Sequence, residues 1–234
     1  MATNGEITII PAISSQLRYD PQKDLVPIAM VTSTPFVWAA NLNSQISSLQ
    51  EMIAAAKASP GQLAYSSAGK GSSSHMATEL FAAAAGIKLL HVPYRGGAPA
   101  TTAIMAGEVS VAALALSTVI QVRDSGKARL LAVTAGRRAK LIPDIPTVNE
   151  TGVLKDFESS IWTGLFAPRG TPESIASKIQ ADIIDVLKDP AVIARLGEAG
   201  AEAVGMPGTE LSERIRTETD HLGKIAKEAG IRLD

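Results

Sequence analysis

The sequence predicts an α/β protein of two lobes, and three observations carry that expectation. The chain has 234 residues, enough for one large or two smaller domains with respectable cores. Short apolar runs alternate with amphipathic stretches from Leu63 to Thr134. Long amphipathic stretches then close the chain behind a connector holding Pro143 and Pro146. Composition agrees: 46% hydrophobic and 19% charged residues, with 19 Gly and 13 Pro, describe a folded chain with many short turns rather than a disordered one.

The elements follow in order. Ile7 to Ile13 is a short apolar segment, followed by a polar passage to Asp24 and strand signals at 26–31 and 36–40. Ser48-Leu49-Gln50-Glu51 reads as a capping box, in which the serine oxygen and the glutamate carboxylate satisfy orphan amides of a first helical turn. Leu49, Met52, Ile53 and Ala56 share one face of that helix, and Ser59-Pro60-Gly61 stops it. Then come a strand at 63–66, a helix at 72–85, a strand at 89–92, a helix at 98–106, a strand at 109–116, a short helix at 118–124 and a strand at 128–134. That alternation predicts a parallel sheet flanked by helices, with ligands bound beyond the carboxyl ends of its strands.

After the connector, 157–166 reads as a strand through Trp162 and Gly164. Thr171-Pro172-Glu173 supplies an N-cap, a first-turn proline and an early acid, with Ile175, Ile179, Ile183 and Val186 as the expected buried stripe. Asp189-Pro190 restarts the helix, and Gly197 or Gly200 ends it. Thr209-Glu210 opens the last helix, with Leu211, Ile215, Leu222 and Ile225 as its apolar face and Gly230 as its stop.

Charge and composition narrow the function classes. A formal net charge of −1 offers no strong field to nucleic acid or to an anionic membrane. The distribution is uneven: residues 88–140 hold Lys88, Arg95, Arg123, Lys127, Arg129, Arg137, Arg138 and Lys140 against Glu108 and Asp124. A locally positive lobe suits an anionic ligand; a solvated face balanced by the acidic C-terminal region explains the same charges equally well. With no cysteine there is no disulfide framework, thiolate nucleophile or cysteine metal site. The start, Met1-Ala-Thr-Asn-Gly, lacks the basic-then-apolar layout of a signal peptide, and the apolar run from Val109 to Val122 is too short to cross a bilayer.

The chemistry-bearing segments sit between strands and helices. In Tyr65-Ser66-Ser67-Ala68-Gly69-Lys70-Gly71-Ser72-Ser73-Ser74-His75, glycines permit tight turning, and Ser67, Ser72 and Ser73 add hydroxyls beside the free amides of a helix start. Together they form a candidate anion cradle. Nucleotide motifs fit poorly: Lys70 lies between Gly69 and Gly71 rather than before a Ser or Thr, and Ser74 stands where a dinucleotide fingerprint needs its last glycine. The second loop, His91-Val92-Pro93-Tyr94-Arg95-Gly96-Gly97-Ala98-Pro99, pairs two glycines with a hydroxyl and a cation, although Arg95 taken alone reads more readily as a surface charge than as a ligand contact. The third, Leu114 to Thr118, offers Ser117 and Thr118. His75, His91 and His221 have no metal-site spacing and no local Asp or Glu partner, so no catalytic constellation and no cofactor or metal requirement emerges.

Five ordered runs carry a resemblance: Ser66–His75; His91–Ala100; Leu131-Ala-Val-Thr134; Pro143-Asp-Ile-Pro-Thr-Val-Asn-Glu-Thr-Gly152; and Trp162-Thr-Gly-Leu-Phe-Ala-Pro168. The chain resembles the extracytoplasmic solute receptors of tripartite tricarboxylate transporters, the Bordetella uptake gene (Bug) family, from about Tyr19 to its end. The resemblance implies a periplasmic-binding-protein-like fold of type II, a two-lobed Venus flytrap without catalysis. It implies periplasmic placement, a small carboxylate ligand (a di- or tricarboxylate, aromatic acid or acidic amino acid), the permease subunits of the transporter as membrane partner, no nucleic acid, and a monomer at full length. One lobe is expected over residues 34–152, the other over 1–33 with 153–234. Ligand contacts are expected around Ser67, Gly69, Gly71, Ser72 and Ser73, around Tyr94, Arg95, Gly96 and Gly97, and at Ser117.

Two departures accompany it. Family members open with a strand, a Pro-Gly-Gly-rich loop and a further strand and helix that have no counterpart here, so the first lobe is expected to be incomplete. Ala112-Ala-Leu-Ala-Leu116 also replaces the family's small acidic pattern after Val111. The competing expectations are an α/β enzyme that binds a phosphorylated or carboxylated metabolite in the same cradle, and a truncated remnant that binds nothing.

Overall fold

The computed structural model describes residues 1–233, which form two compact units: Met1–Thr34 with Ile161 onward, and Pro35–Ser160. In the first unit β1 (Ala2–Thr3) leads into a π-helical turn, Gly5–Ile9, that continues as α1 (Ile10–Ile13). The apolar segment 7–13 is thus helical, and it buries Ile7, Ile9 and Ile13. α2 (Pro21–Asp24) has Asp20 as its N-cap, accepting from the Gln22 and Lys23 amides, and Pro21 in the first turn.

β2 (Leu25–Asn41) is one continuous strand where the sequence suggested two, and it carries the chain from the first unit into the second. In the second unit it is followed by a 3-10 turn, Leu42–Ser44, then α3 (Leu49–Ala58), β3 (Ala64–Ser67), α4 (Ser73–Ala85), β4 (Leu90–Pro93), α5 (Gly97–Ala106), β5 (Val111–Ala115), α6 (Leu116–Asp124) and β6 (Ala128–Val133). Ser48 caps α3 through the Glu51 amide, as its motif predicts. The reciprocal bond is displaced by one residue, because Glu51 Oε2 accepts from the Ser47 amide and hydroxyl, both at 2.7 Å.

The sheet of this unit is mixed rather than wholly parallel. β3 runs parallel to β4 and β5, while the second half of β2 is antiparallel to both β5 (Phe36↔Ala115, Ala40↔Val111) and β6 (Val37↔Val133, Asn41↔Ala128). The physical reason is the entry point: β2 arrives from the other unit and inserts between β5 and β6, against the direction set by the strand–helix–strand units. Val37, Ala39, Ala112, Leu114, Leu130 and Val133 from these strands pack with Ile104, Val119 and Val122 in one core cluster. The connector stays with this unit to residue 160, rather than ending at 152. Phe157 donates its amide to Asn149 Oδ1 at 2.9 Å, its ring meets Phe81 edge-on at 5.5 Å, and the Ser159 amide reaches Thr134 O at 2.9 Å.

The chain completes the first unit with β7 (Ser160–Pro168), α7 (Glu173–Val186), α8 (Pro190–Glu198), β8 (Glu202–Pro207) and α9 (Gly208–Glu228). β1 pairs antiparallel with β7, and β8 pairs antiparallel with residues 29–33 of β2. α9 buries Leu211, Ile215, Leu222 and Ile225, the face its sequence predicts. Thr171 is not the cap of α7: its hydroxyl donates to Pro168 O at 2.8 Å, and the helix starts after Pro172. Nor do Ile175, Ile179 and Val186 form a buried stripe, since they are 50%, 36% and 54% exposed. α7 is rolled so that Gln180 and Ile184 face β8, with Gln180 Oε1 accepting from the Gly208 amide at 2.8 Å and Ile184 Cγ2 lying 4.0 Å from the position of a side chain at Gly205. Among the described residues, no helix is long and apolar enough to cross a membrane.

Candidate anion-binding loops

β4, β3 and β5 lie side by side and parallel, so the loops that leave their carboxyl ends share one edge of the sheet. The 66–75 loop leaves β3, the 94–97 loop leaves β4, and Ser117 follows β5 in the first turn of α6. Helices start immediately after each loop, which brings three sets of helix-start amides to the same edge. Backbone bonds tie the first two loops together: Tyr94 N donates to Ser67 O at 3.0 Å and Gly96 N to Ala68 O at 3.2 Å. Gly69 has φ +130°, a backbone conformation that favours glycine, and the Tyr94 carbonyl oxygen lies 3.4 Å from the position a Cβ would take.

Much of the loop's hydrogen-bonding capacity is used internally. Ser67 Oγ accepts the Gly69 amide at 3.1 Å, and the Ala68 amide donates to Ser74 Oγ at 3.0 Å. Ser72 is the N-cap of α4, its Oγ accepting from His75 N at 3.3 Å and lying 3.2 Å from Ser74 Oγ. The buried Gly71 amide donates to His75 Nδ1 at 3.0 Å. Ser73 is the first residue of α4 and Gly97 the first of α5. Tyr94 hydroxyl donates to Glu108 Oε2 at 2.8 Å, and burial followed by that carboxylate holds its ionisation above the usual phenol range. Lys70 and Arg95 are exposed and form no ion pair among the described residues, so the edge presents two uncompensated cations.

Beneath the loop lies an arrangement that sequence reading passed over. The rings of His75 and His91 stack at 3.8 Å with 10° between planes, and the Tyr65 ring lies beside both, 5.0 Å from His91 and 6.4 Å from His75. His91 Nε2 lies 2.6 Å from Ser67 Oγ, and Tyr65 hydroxyl donates to Glu79 Oε1 at 2.6 Å. Since His75 Nδ1 accepts from Gly71, its ring proton is on Nε2 in the neutral form. Burial, the facing His91 and then Lys70 push His75 down to about 3; burial and Lys70 push His91 down to about 4. Two imidazolium charges 3.8 Å apart would repel by about 4 kcal/mol at an effective dielectric of about 20, which disfavours double protonation, and with both values well below 7 each ring is neutral at pH 7. The Ser67–His91 contact is not an activated nucleophile: Ser67 is 1% exposed, its oxygen is already occupied by Gly69, and no carboxylate orients His91 among the described contacts.

The pairing could be read from sequence only with the register in hand. Tyr65 and His91 are direct partners across β3 and β4, while His75 reaches them from the first turn of α4. None of these spacings is a local motif. No group of three or more His, Asp or Glu suited to a metal occurs among the described residues.

A mixed α/β sheet whose glycine-rich loops gather at the ends of parallel strands, in a chain of two α/β units, is a fold that this chain shares with solved structures of periplasmic binding proteins. The chain belongs to the tripartite tricarboxylate transporter receptor family, whose model, "Tripartite tricarboxylate transporter family receptor", matches residues 1–231. It is 33% identical over 210 residues to a protein of Pseudomonas sp. (strain P51) named for the tcbD-tcbE intergenic region, covering 90% of this chain and 62% of that protein's length. Among solved structures it is similar to R. palustris Rpa4515 with adipate, at a TM-score of 0.84 and 28% identity over 99% of this chain and 77% of that one. It is also similar to MatC from Rhodopseudomonas palustris with bound malate, at a TM-score of 0.78 and 28% identity over 96% of this chain and 77% of that one.

Proposed function

We propose that this chain is a periplasmic receptor that captures a small carboxylate and delivers it to the membrane permease of a tripartite tricarboxylate transporter, without catalysing a reaction. The observation that carries the reading is the joined pair of glycine-bearing loops at the parallel strand ends, with Lys70 and Arg95 in no ion pair among the described residues. The adipate and malate held by the two similar R. palustris proteins are the reason to test small dicarboxylates first. Ser67 and Gly71 support the loop from within, since their hydroxyl and amide are occupied there. Ser72, Ser73, Tyr94, Arg95 and Gly97 would meet the carboxylate, Gly69 and Gly96 would shape its approach, and Ser117 would add a hydroxyl from the third loop. Hydrogen bonds to a charged group contribute about 1.5–3 kcal/mol each, so a few preorganised ones reach micromolar affinity, about −8 kcal/mol.

Thermal-shift screening of malate, adipate, citrate, aromatic acids and acidic amino acids tests the ligand class. A binder present at about 100 times its Kd stabilises the protein by roughly 2.7 kcal/mol. Absence of any shift across that panel would refute the reading. Ser72→Asp keeps a good N-cap for α4 while placing a negative charge in the cradle. It should weaken the best carboxylate at least tenfold in calorimetry, and an unchanged Kd would remove Ser72 from the site.

A further inference from the structure

We propose that His75 and His91 are positioning residues: as a stacked, neutral pair they latch the 66–75 loop in the conformation that presents Lys70 and the Ser72 cap. The proposal deepens the carboxylate reading and rests on it for the loop's purpose. Two contacts join the pair to the loop, at different places. Gly71 N donates to His75 Nδ1 at 3.0 Å, and Ser67 Oγ meets His91 Nε2 at 2.6 Å. Because the rings are 3.8 Å apart, displacing either one displaces the other's loop contact.

The latch depends on a lone pair. A proton on His75 Nδ1 would turn the acceptor of the Gly71 amide into a second donor, and the bond could not survive. The titratable groups around the pair favour the neutral form. Lys70 in the loop is positive, Tyr65 on β3 stacks as a neutral ring, and Glu79 on α4 is engaged by the Tyr65 hydroxyl rather than by either imidazole. His75 itself is 3% exposed. Burial and the mutual contact are thus what keep the acceptor available.

The test compares variants that keep or remove the lone pair. In His75→Asn the amide oxygen takes the place of Nδ1, and in His91→Gln the amide nitrogen takes the place of Nε2; neither titrates. His75→Leu removes the acceptor altogether. Hydrogen exchange of the ligand-free 234-residue protein at pH 7, read on peptides covering residues 66–75, should show at least tenfold faster exchange of the Gly71 region in His75→Leu, with His75→Asn within about twofold of the parent. Malate and adipate affinities should follow the same order. On acidification from pH 7 to pH 3.5 the parent should lose protection in this segment several-fold more than His75→Asn/His91→Gln, after correction for intrinsic exchange, and should lose dicarboxylate affinity relative to that double variant, in which the ligand's own protonation is the same.

Equal exchange in His75→Leu and the parent would overturn the positioning role. So would His75→Asn behaving like His75→Leu, or carboxylate affinity in the parent that rises relative to the double variant on acidification, which would mean that the rings act by charge. Should His75→Leu fail to fold, the exchange profile of the double variant against pH decides the matter. If neither dicarboxylate binds any variant at any pH, the carboxylate reading falls, while the exchange data still decide whether the latch exists.

Discussion

Each unit buries one tryptophan completely, and the two treat the indole nitrogen differently. In the first unit Trp162 Nε1 donates to Glu218 Oε2 at 2.9 Å, and the same carboxylate accepts from Thr8 Oγ1 at 2.8 Å and faces Arg214 Nε at 3.4 Å. In the second, Trp38 packs on Phe81 with ring centroids 4.7 Å apart, and its Nε1 has no hydrogen-bond partner among the described residues. The helices differ in the same sense. α3, α4, α5 and α6 of the second unit each bury residues against their sheet, whereas α7 and α8 of the first bury none. The contrast shows two ways to hold a sheet: the second unit relies on dense apolar and aromatic packing, and the first on a shorter apolar cluster around Ile7, Met30, Trp162, Leu211 and Ile215 pinned by a polar hub.

Acid should separate the two units most strongly. His75 and His91 lie in the second unit, while the first has only the exposed His221. Their folded values of about 3 and about 4 lie below the ordinary 6.5, so the unfolded chain takes up protons first as pH falls. The second unit therefore has full stability above about pH 6.5 and loses the His91 contribution as pH drops toward about 4 and the His75 contribution as it drops toward about 3, by at most about 1.4 kcal/mol per pH unit for each ring. The protein has two tryptophans, one in each unit, so denaturation followed by fluorescence in Trp162→Phe reports the second unit through Trp38, and in Trp38→Phe the first through Trp162. Coincident midpoints at every pH would break the distinction.

The same two variants sharpen the energetic difference. Both lose similar ring volume, but Trp162→Phe also removes a hydrogen bond to a carboxylate and should destabilise by about 1.5–3 kcal/mol more than Trp38→Phe, which removes a buried donor without a partner. Urea titration of each variant followed by far-UV circular dichroism, which reports both units, measures this, and equal losses would mean that Glu218 is no anchor. The smallest effect belongs to α7. Ile175→Ser and Ile179→Ser should change stability by no more than about 0.5 kcal/mol, because their side chains are already half or more than a third exposed. A loss above 2 kcal/mol would show that this face is covered in solution.

Legibility in the sequence followed the range of the interaction. The Ser48 cap, the Asp189-Pro190 restart and the buried face of α9 were readable because each depends on residues within a turn or a few turns of the helix. β8 was not: Glu202 to Pro207 is interrupted by Gly205 and becomes a strand through its pairing with β2. α7 was misread in orientation because it has apolar residues on more than one face, and only the position of β8 selects Ile184 over Ile175 and Ile179.

The loops themselves belong to both levels. The sequence by itself determined that glycines and serines stand between strands and helices at 66–75 and 94–97, because strand, turn and cap preferences are local. Only the tertiary structure decided that these loops bond to each other, that β2 enters antiparallel between β5 and β6, and that two histidines sixteen positions apart stack beneath the first loop. Those outcomes are set by strand register and by the burial of groups distant in the chain, to which a local pattern of residue types carries no direct signal.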